Sequence, residues 1–174
     1  MSNWTRHDTR ALIEAAEYRP AMSSWAVKAI RRHHAEAGLV ERMARLENFT
    51  LTCTPHVWGQ SDCSLDVASW VALNGYPDPG AEWRGAYDSE ASSRALLERR
   101  GGLIAHIGAC ASAIGLSPVL EPEFGCIAVV GAKHDERRQW SAIWQGFRWL
   151  VKWGDGNAAR WVPFAARPLA MWRV

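Results

Sequence analysis

The run Trp58-Gly59-Gln60-Ser61-Asp62-Cys63-Ser64 holds a cysteine between two polar, helix-capping residues, and Leu65-Asp66-Val67-Ala68-Ser69-Trp70-Val71 follows with helical periodicity. A helix N-terminus carries partial positive charge and unpaired N–H groups. Both stabilise a thiolate, so Cys63 in the first turn is expected to have a lowered pKa and to serve as a nucleophile. The same N–H groups can hold the oxyanion of an acyl-transfer intermediate. Such chemistry also needs a base to take the thiol proton and return it to the leaving group. His56, seven residues before the cysteine, is the nearest candidate in the chain. His134 falls in a charged loop among Lys133, Asp135, Glu136 and Arg137 and reads as solvated, while His106 falls on an apolar helix and reads as a core histidine. Adjacent His33 and His34 on a basic helix do not face one site, which argues against a metal. A zinc site from Cys53, Cys63 and His56 is a distant third reading, because the spacing is irregular. No metal and no cofactor is expected.

The elements that must position these residues follow from pattern. A helix is expected from Asp8 or Thr9 to Arg19, stopped by Pro20. A second is expected over Ser24 to Ala37, with Gly38 as its stop, and a third helical stretch over Leu39 to Leu46. Asn48 to Ser61 reads as a turn-rich approach. The cysteine helix should run from Asp62 to Asn74, burying Leu65, Ala68, Val71 and Ala72. Ser89 should cap a helix reaching Arg100, and Leu103 to Ile114 should form another. Short strands follow at Ser117–Leu120, Cys126–Val130, Trp140–Phe147, Trp149–Trp153 and Arg160–Val162. Helices first and strands second imply an α+β fold with an antiparallel sheet. The expected division is a helical extension over residues 1–47 and a domain over residues 48–174.

Composition narrows the function classes. At 174 residues, 48% of them hydrophobic, the chain can bury a real core. A net charge of +2 without a basic block gives no reason to expect nucleic acid. No apolar run is long enough to span a bilayer. Met1-Ser2-Asn3-Trp4-Thr5-Arg6 lacks the apolar stretch of a secretory signal, so folding in a cytoplasm is expected. The four cysteines show no CxxC pair and should be free thiols. Tryptophan is the outlier, with 11 copies. Trp140, Trp144, Trp149, Trp153, Trp161 and Trp172 crowd the C-terminal part, which reads either as core or as an interface.

The motifs resemble those of the NlpC class of papain-like cysteine peptidases, which cleave the peptide stems of bacterial cell wall. His56-Val57-Trp58-Gly59 matches the class's aromatic-x-Trp-Gly run, with His56 where Tyr is usual. Asp62-Cys63-Ser64 matches the Asp-Cys-Ser run fully, and Gly125-Cys126-Ile127-Ala128-Val129-Val130 looks like its apolar strand, with Cys126 in place of Asp. The resemblance covers residues 48 to 163. Gly75-Tyr76-Pro77-Asp78-Pro79, Arg84-Gly85-Ala86-Tyr87, Gly101-Gly102 and the terminal Met171-Trp172-Arg173-Val174 look more closely like a phage and prophage branch, similar to tail-tip components of long-tailed phages and gene-transfer particles.

The resemblance implies a papain-like, NlpC-type fold with Cys63 as nucleophile, and Asp62, Ser64 and Trp58 at the substrate. The class's histidine would open the strand read here as Trp140-Ser141-Ala142-Ile143, which has none. His56 could have taken over, and Lys152 is the nearest polar residue on the next strand. Two functions follow. One is a tail-tip protein, a structural, hub-associated component of the virion tail assembled in the host cytoplasm. The other is an active cysteine peptidase or amidase acting on peptidoglycan stem peptides. The N-terminal helices and the Trp-rich end would dock to the tail hub, so deleting Phe164 to Val174 should abolish hub binding.

Overall fold

The computed structural model describes residues 24–132 and 134–174. The helix expected over Asp8 to Arg19 lies outside the described residues. The chain divides into two units, Met1–Ala44 and Arg45–Val174, each taken here by itself. In the first, the described part is helical and leaves Leu39, Val40 and Met43 exposed.

The expected break at Gly38 is absent. One helix, α1, runs over Ser24–Leu51. A glycine ends a helix by taking a positive φ, and Gly38 does not take one. The residues after it, Leu39-Val40-Glu41-Arg42-Met43-Ala44, are mostly good helix formers and carry the helix on. It therefore takes up part of the stretch expected to be turn-rich.

Three further helices follow: α2 over Cys63–Leu73, α3 over Glu90–Arg99 and α4 over Leu103–Ala113. Asp62 caps α2, and Ser89 caps α3 through a reciprocal bond with Ser92. The strands are β1 Ile127–Ala132, β2 Asp135–Trp144, β3 Trp149–Trp153, β4 Arg160–Phe164 and β5 Arg167–Trp172. They form one antiparallel sheet in the order β4-β3-β2-β1-β5. Among the described residues the architecture is α+β, with helices first and an antiparallel sheet after them.

The strand expected at Ser117–Leu120 reduces to a single bridge, Pro118 to Trp172. Pro118 has no N–H to extend a ladder. Strand β2 starts earlier than Trp140, in a polar, exposed stretch without alternation, and stops at Trp144 because Gly146 turns the chain at φ 105°. Strand β5 carries no clear sequence signal. Its Pro168 argues against a strand, yet β5 is at an edge of the sheet, where a missing N–H is tolerated.

Only Ala165 and Ala166 separate β4 from β5, the two opposite edges. Three Cα steps reach about 11 Å, whereas four strand spacings across a flat sheet need about 19 Å. The sheet therefore curls toward a barrel. Its helix-facing side packs Ile127, Val129, Ile143, Leu150 and Trp172 against Val67, Trp70 and Val71 of α2 and Ala111 of α4. Its inner side is filled by Cys126, Ala128, Val130, Ala142, Trp149, Val151 and Met171. Burial on both faces explains why β1 reads as a continuous apolar run. Most of the C-terminal tryptophans serve this packing: Trp149 and Trp172 are buried, and Trp140, Trp144 and Trp161 are half-buried.

Candidate functional site around Cys63

Local chemistry builds the cysteine turn. Val57 O accepts from Gln60 N at 3.1 Å and from Ser61 N at 2.9 Å, and Ser61 Oγ donates to Pro55 O at 2.6 Å. Asp62 then takes an extended conformation at φ −84°, ψ 177° and caps α2, which makes Cys63 its first residue. The Asp62 carboxylate is only 2% exposed. Its Oδ1 accepts from Ser64 N at 3.0 Å and Leu65 N at 3.1 Å. Its Oδ2 accepts from Gly59 N at 3.0 Å and from the Tyr87 hydroxyl at 2.5 Å. Four bonds fill the acceptor sites of a carboxylate. The cap also takes the Ser64 and Leu65 N–H groups that sequence reasoning offered to an oxyanion.

These contacts explain two motifs as scaffolding. Gly59 sits at φ +71°, and a Cβ there would lie 1.8 Å from Tyr87 O, so no other residue fits. Gly59 O in turn accepts from Gly85 N at 2.7 Å. Arg84 donates from Nε to Asp78 Oδ2 at 2.8 Å, from Nη1 to Gln60 O at 3.1 Å and from Nη2 to Ser69 Oγ at 3.0 Å. Arg84-Gly85-Ala86-Tyr87 thus clamps the Trp58-Gly59 turn, the Asp78 loop and α2 together. Nothing in the sequence pattern pointed to this clamp.

Lys152 on β3 is a second tie. Its side chain is fully buried, and Nζ meets Asp66 Oδ2 at 2.6 Å. Nζ also donates to Ser61 O at 2.5 Å, Pro55 O at 3.3 Å and Thr54 Oγ1 at 3.3 Å. A buried ammonium persists only with a counter-charge and filled donors. Lys152 has both, and it locks the turn before Cys63 and the first turn of α2 onto the sheet.

The Cys63 thiol has the opposite poise to the expected one. Burial pushes its pKa up to about 11, and the neighbouring Asp62 charge adds to the rise. Hydrogen bonds from Ser64 and the Ser141 backbone pull the other way and lose. Two N–H groups of the helix N-terminus, those of Ser64 and Leu65, already serve the Asp62 carboxylate. Across from the thiol, Ser64 Oγ and Ser141 Oγ share a hydrogen bond of 2.9 Å. Ser141 belongs to the strand segment Trp140-Ser141-Ala142-Ile143, which holds no histidine.

An open groove of about 660 Å³ lies over Cys63. Trp58, Asp62 and Ser64 line it with Cys63, as do Trp140 and Trp153 from the sheet. No histidine is among the described residues that line it. His56 donates its backbone N–H to Gly156 O at 2.9 Å and sets its ring edge-on to Trp58, 4.7 Å between centroids. Its Nε2 is buried without a hydrogen-bond partner among the described residues. His106 is buried edge-on against Trp83, and burial, reinforced by Arg100, lowers its pKa. His134 is exposed in the β1–β2 turn. Cys53 approaches the Thr54 and Ala159 carbonyls at 3.6 Å each. Among the described residues, no three His, Cys, Asp or Glu side chains are grouped to hold a metal ion.

Comparison with known proteins adds one match. The model of a family described as a domain of unknown function, DUF6950, matches residues 31–174. No curated protein and no solved structure matches the chain.

Proposed function

The chain belongs to the DUF6950 family, and within it we propose a tail-tip protein of a long-tailed phage or gene-transfer particle, built on an NlpC-like fold that does not assemble a peptidase. The protein docks to the tail hub in the host cytoplasm and stays in the virion tail. The Trp-Gly and Asp-Cys-Ser motifs and the Arg-Gly-Ala-Tyr element support the tail-tip assignment through their resemblance.

One observation supports the reading without peptidase chemistry: no histidine is among the described residues lining the groove over Cys63, and burial raises the pKa of that thiol to about 11. At neutral pH such a thiol is protonated and has no imidazole in the groove to activate it. The competing reading, a stem-peptide hydrolase with Cys63 as nucleophile, His56 as base and Asp62, Ser64 and Trp58 at the substrate, draws its support from the open groove. Incubation of the protein with muramyl stem peptides, beside the Cys63→Ala variant, separates the two. The assembly reading expects no hydrolysis by either protein and recovery of the chain with purified tails. Cleavage that disappears in Cys63→Ala would establish the peptidase instead.

A further inference from the structure

The sheet side of the groove combines half-buried aromatic side chains with exposed arginines. Trp140, Trp153 and Phe164 form one cluster, with centroid separations of 5.8, 5.7 and 6.2 Å. Trp153 remains 43% exposed although the sheet around it is well filled. Arg137 and Arg138 are exposed on the same stretch of β2, and neither has an ion pair among the described residues. The Arg138 guanidinium stands 5.8 Å from the Trp140 ring centroid, so it is held beside the aromatic wall. Arg94, across the groove, is already paired with Glu90 at 2.7 Å.

Charge along the chain points the same way. Residues 133–174 contain eight lysines and arginines against three acids, in a chain whose net charge is only +2. Lys152, Arg167 and Arg173 of that set are spent on internal pairs. Arg137 and Arg138 beside an exposed tryptophan are what remains at the groove.

Tryptophan and arginine are the residue types that most often carry binding energy between proteins. Guanidinium groups pair with carboxylates, as with phosphates, in bidentate geometry. A continuous phosphate backbone fits less well, because a net charge of +2 without a basic block offers little of the counter-charge that a run of phosphates needs. The groove is open along a wall of β2 residues from Arg137 to Trp140, which suits an extended segment.

We propose that the groove over Cys63 docks an extended, acidic segment of a partner protein. Trp140 and Trp153 hold an apolar side chain of that segment, and Arg137 and Arg138 hold its carboxylates. The inference rests on the assembly reading in one respect: a groove without a working nucleophile can hold a peptide without cutting it.

The probe is a short fluorescein-labelled peptide of glutamates with two spaced leucines, followed by anisotropy at low and physiological salt. Its glutamine counterpart and a labelled oligothymidylate are the controls. Binding of the glutamate peptide, about tenfold weaker in Trp153→Ala and in the Arg137→Glu/Arg138→Glu variant, is expected. The glutamine peptide should also bind at least about tenfold more weakly. No binding, equal binding in the variants, equal binding of the glutamine peptide, or a preference for oligothymidylate would each overturn the proposal. Near-UV circular dichroism confirms that the variants stay folded, as expected for exposed positions. Hydrolysis of stem peptides would remove the assembly reading while leaving this binding measurable. Lost binding without hydrolysis removes the groove proposal alone.

Discussion

At the scale of single residues, the site turns on which partner reaches Cys63. A cysteine at a helix start invites the expectation of a thiolate, but the effect of a helix terminus depends on its N–H groups being available. Here Asp62 claims two of them and adds its own negative charge beside the sulfur. Burial does the rest. The pKa of Cys63 is raised, so its proton stays on through neutral pH and the thiolate appears only as pH climbs toward about 11. Iodoacetamide should therefore label Cys63 slowly at neutral pH, with a rate that rises toward a midpoint near that value. Peptide mass spectrometry on the native protein measures this residue by residue. A midpoint below neutrality would mean that a base or cation reaches the sulfur after all.

At the scale of elements, α2 is held at its N-terminal end by two ties of different character. The Arg84–Tyr87 clamp is a web of hydrogen bonds on the loop side. The Lys152–Asp66 pair is a buried charge contact on the sheet side. Removing one partner of such a pair leaves the other charge buried and unpaired, which costs about 3–5 kcal/mol. Lys152→Met is expected to destabilise the protein by that order, measured as a shift in the urea midpoint. The double variant Lys152→Met/Asp66→Leu should recover much of the loss, because no charge is then stranded. A Lys152→Met variant as stable as the parent would show that the pair contributes nothing. The Lys152 ammonium also bonds Pro55 O and Ser61 O, so the pair and the turn are held together.

At the scale of the whole molecule, the C-terminal segment is part of the core. The segment Phe164 to Val174, expected to dock to the tail hub, contains strand β5, which pairs with β1 along Ile127 to Gly131. Trp172 and Val174 are 7% and 3% exposed and pack in the main core. Deleting Phe164 to Val174 would remove one of five strands and open the curled sheet. The truncated chain should lose its cooperative thermal transition and near-UV signal, so loss of hub binding in it would report unfolding. A truncation that still melts cooperatively would contradict this account. Docking is better tested at Trp153 and Arg137/Arg138, whose side chains are exposed.

Much of the plan was legible in the chain. Helical periodicity and capping residues placed α2, α3 and α4 within a residue or two, and β1 and β3 showed as apolar runs, because local hydrogen bonding and burial write themselves into short windows. The Asp-Cys-Ser turn and the exposed position of His134 were equally readable. Gly38 misled because a glycine stops a helix only when the chain takes a positive φ, and its neighbours decide that. Strand β5 was hidden because an edge position tolerates Pro168, and edges exist only once the sheet is assembled. Apart from the Arg84–Asp78 contact, six positions apart, the Arg84, Tyr87 and Lys152 ties join residues between 15 and 98 positions apart, so no local pattern announces them. The state of Cys63 belongs to the same class. Its position at a helix start follows from sequence, but its protonation depends on burial and on which groups the sheet brings opposite, and only tertiary packing sets those.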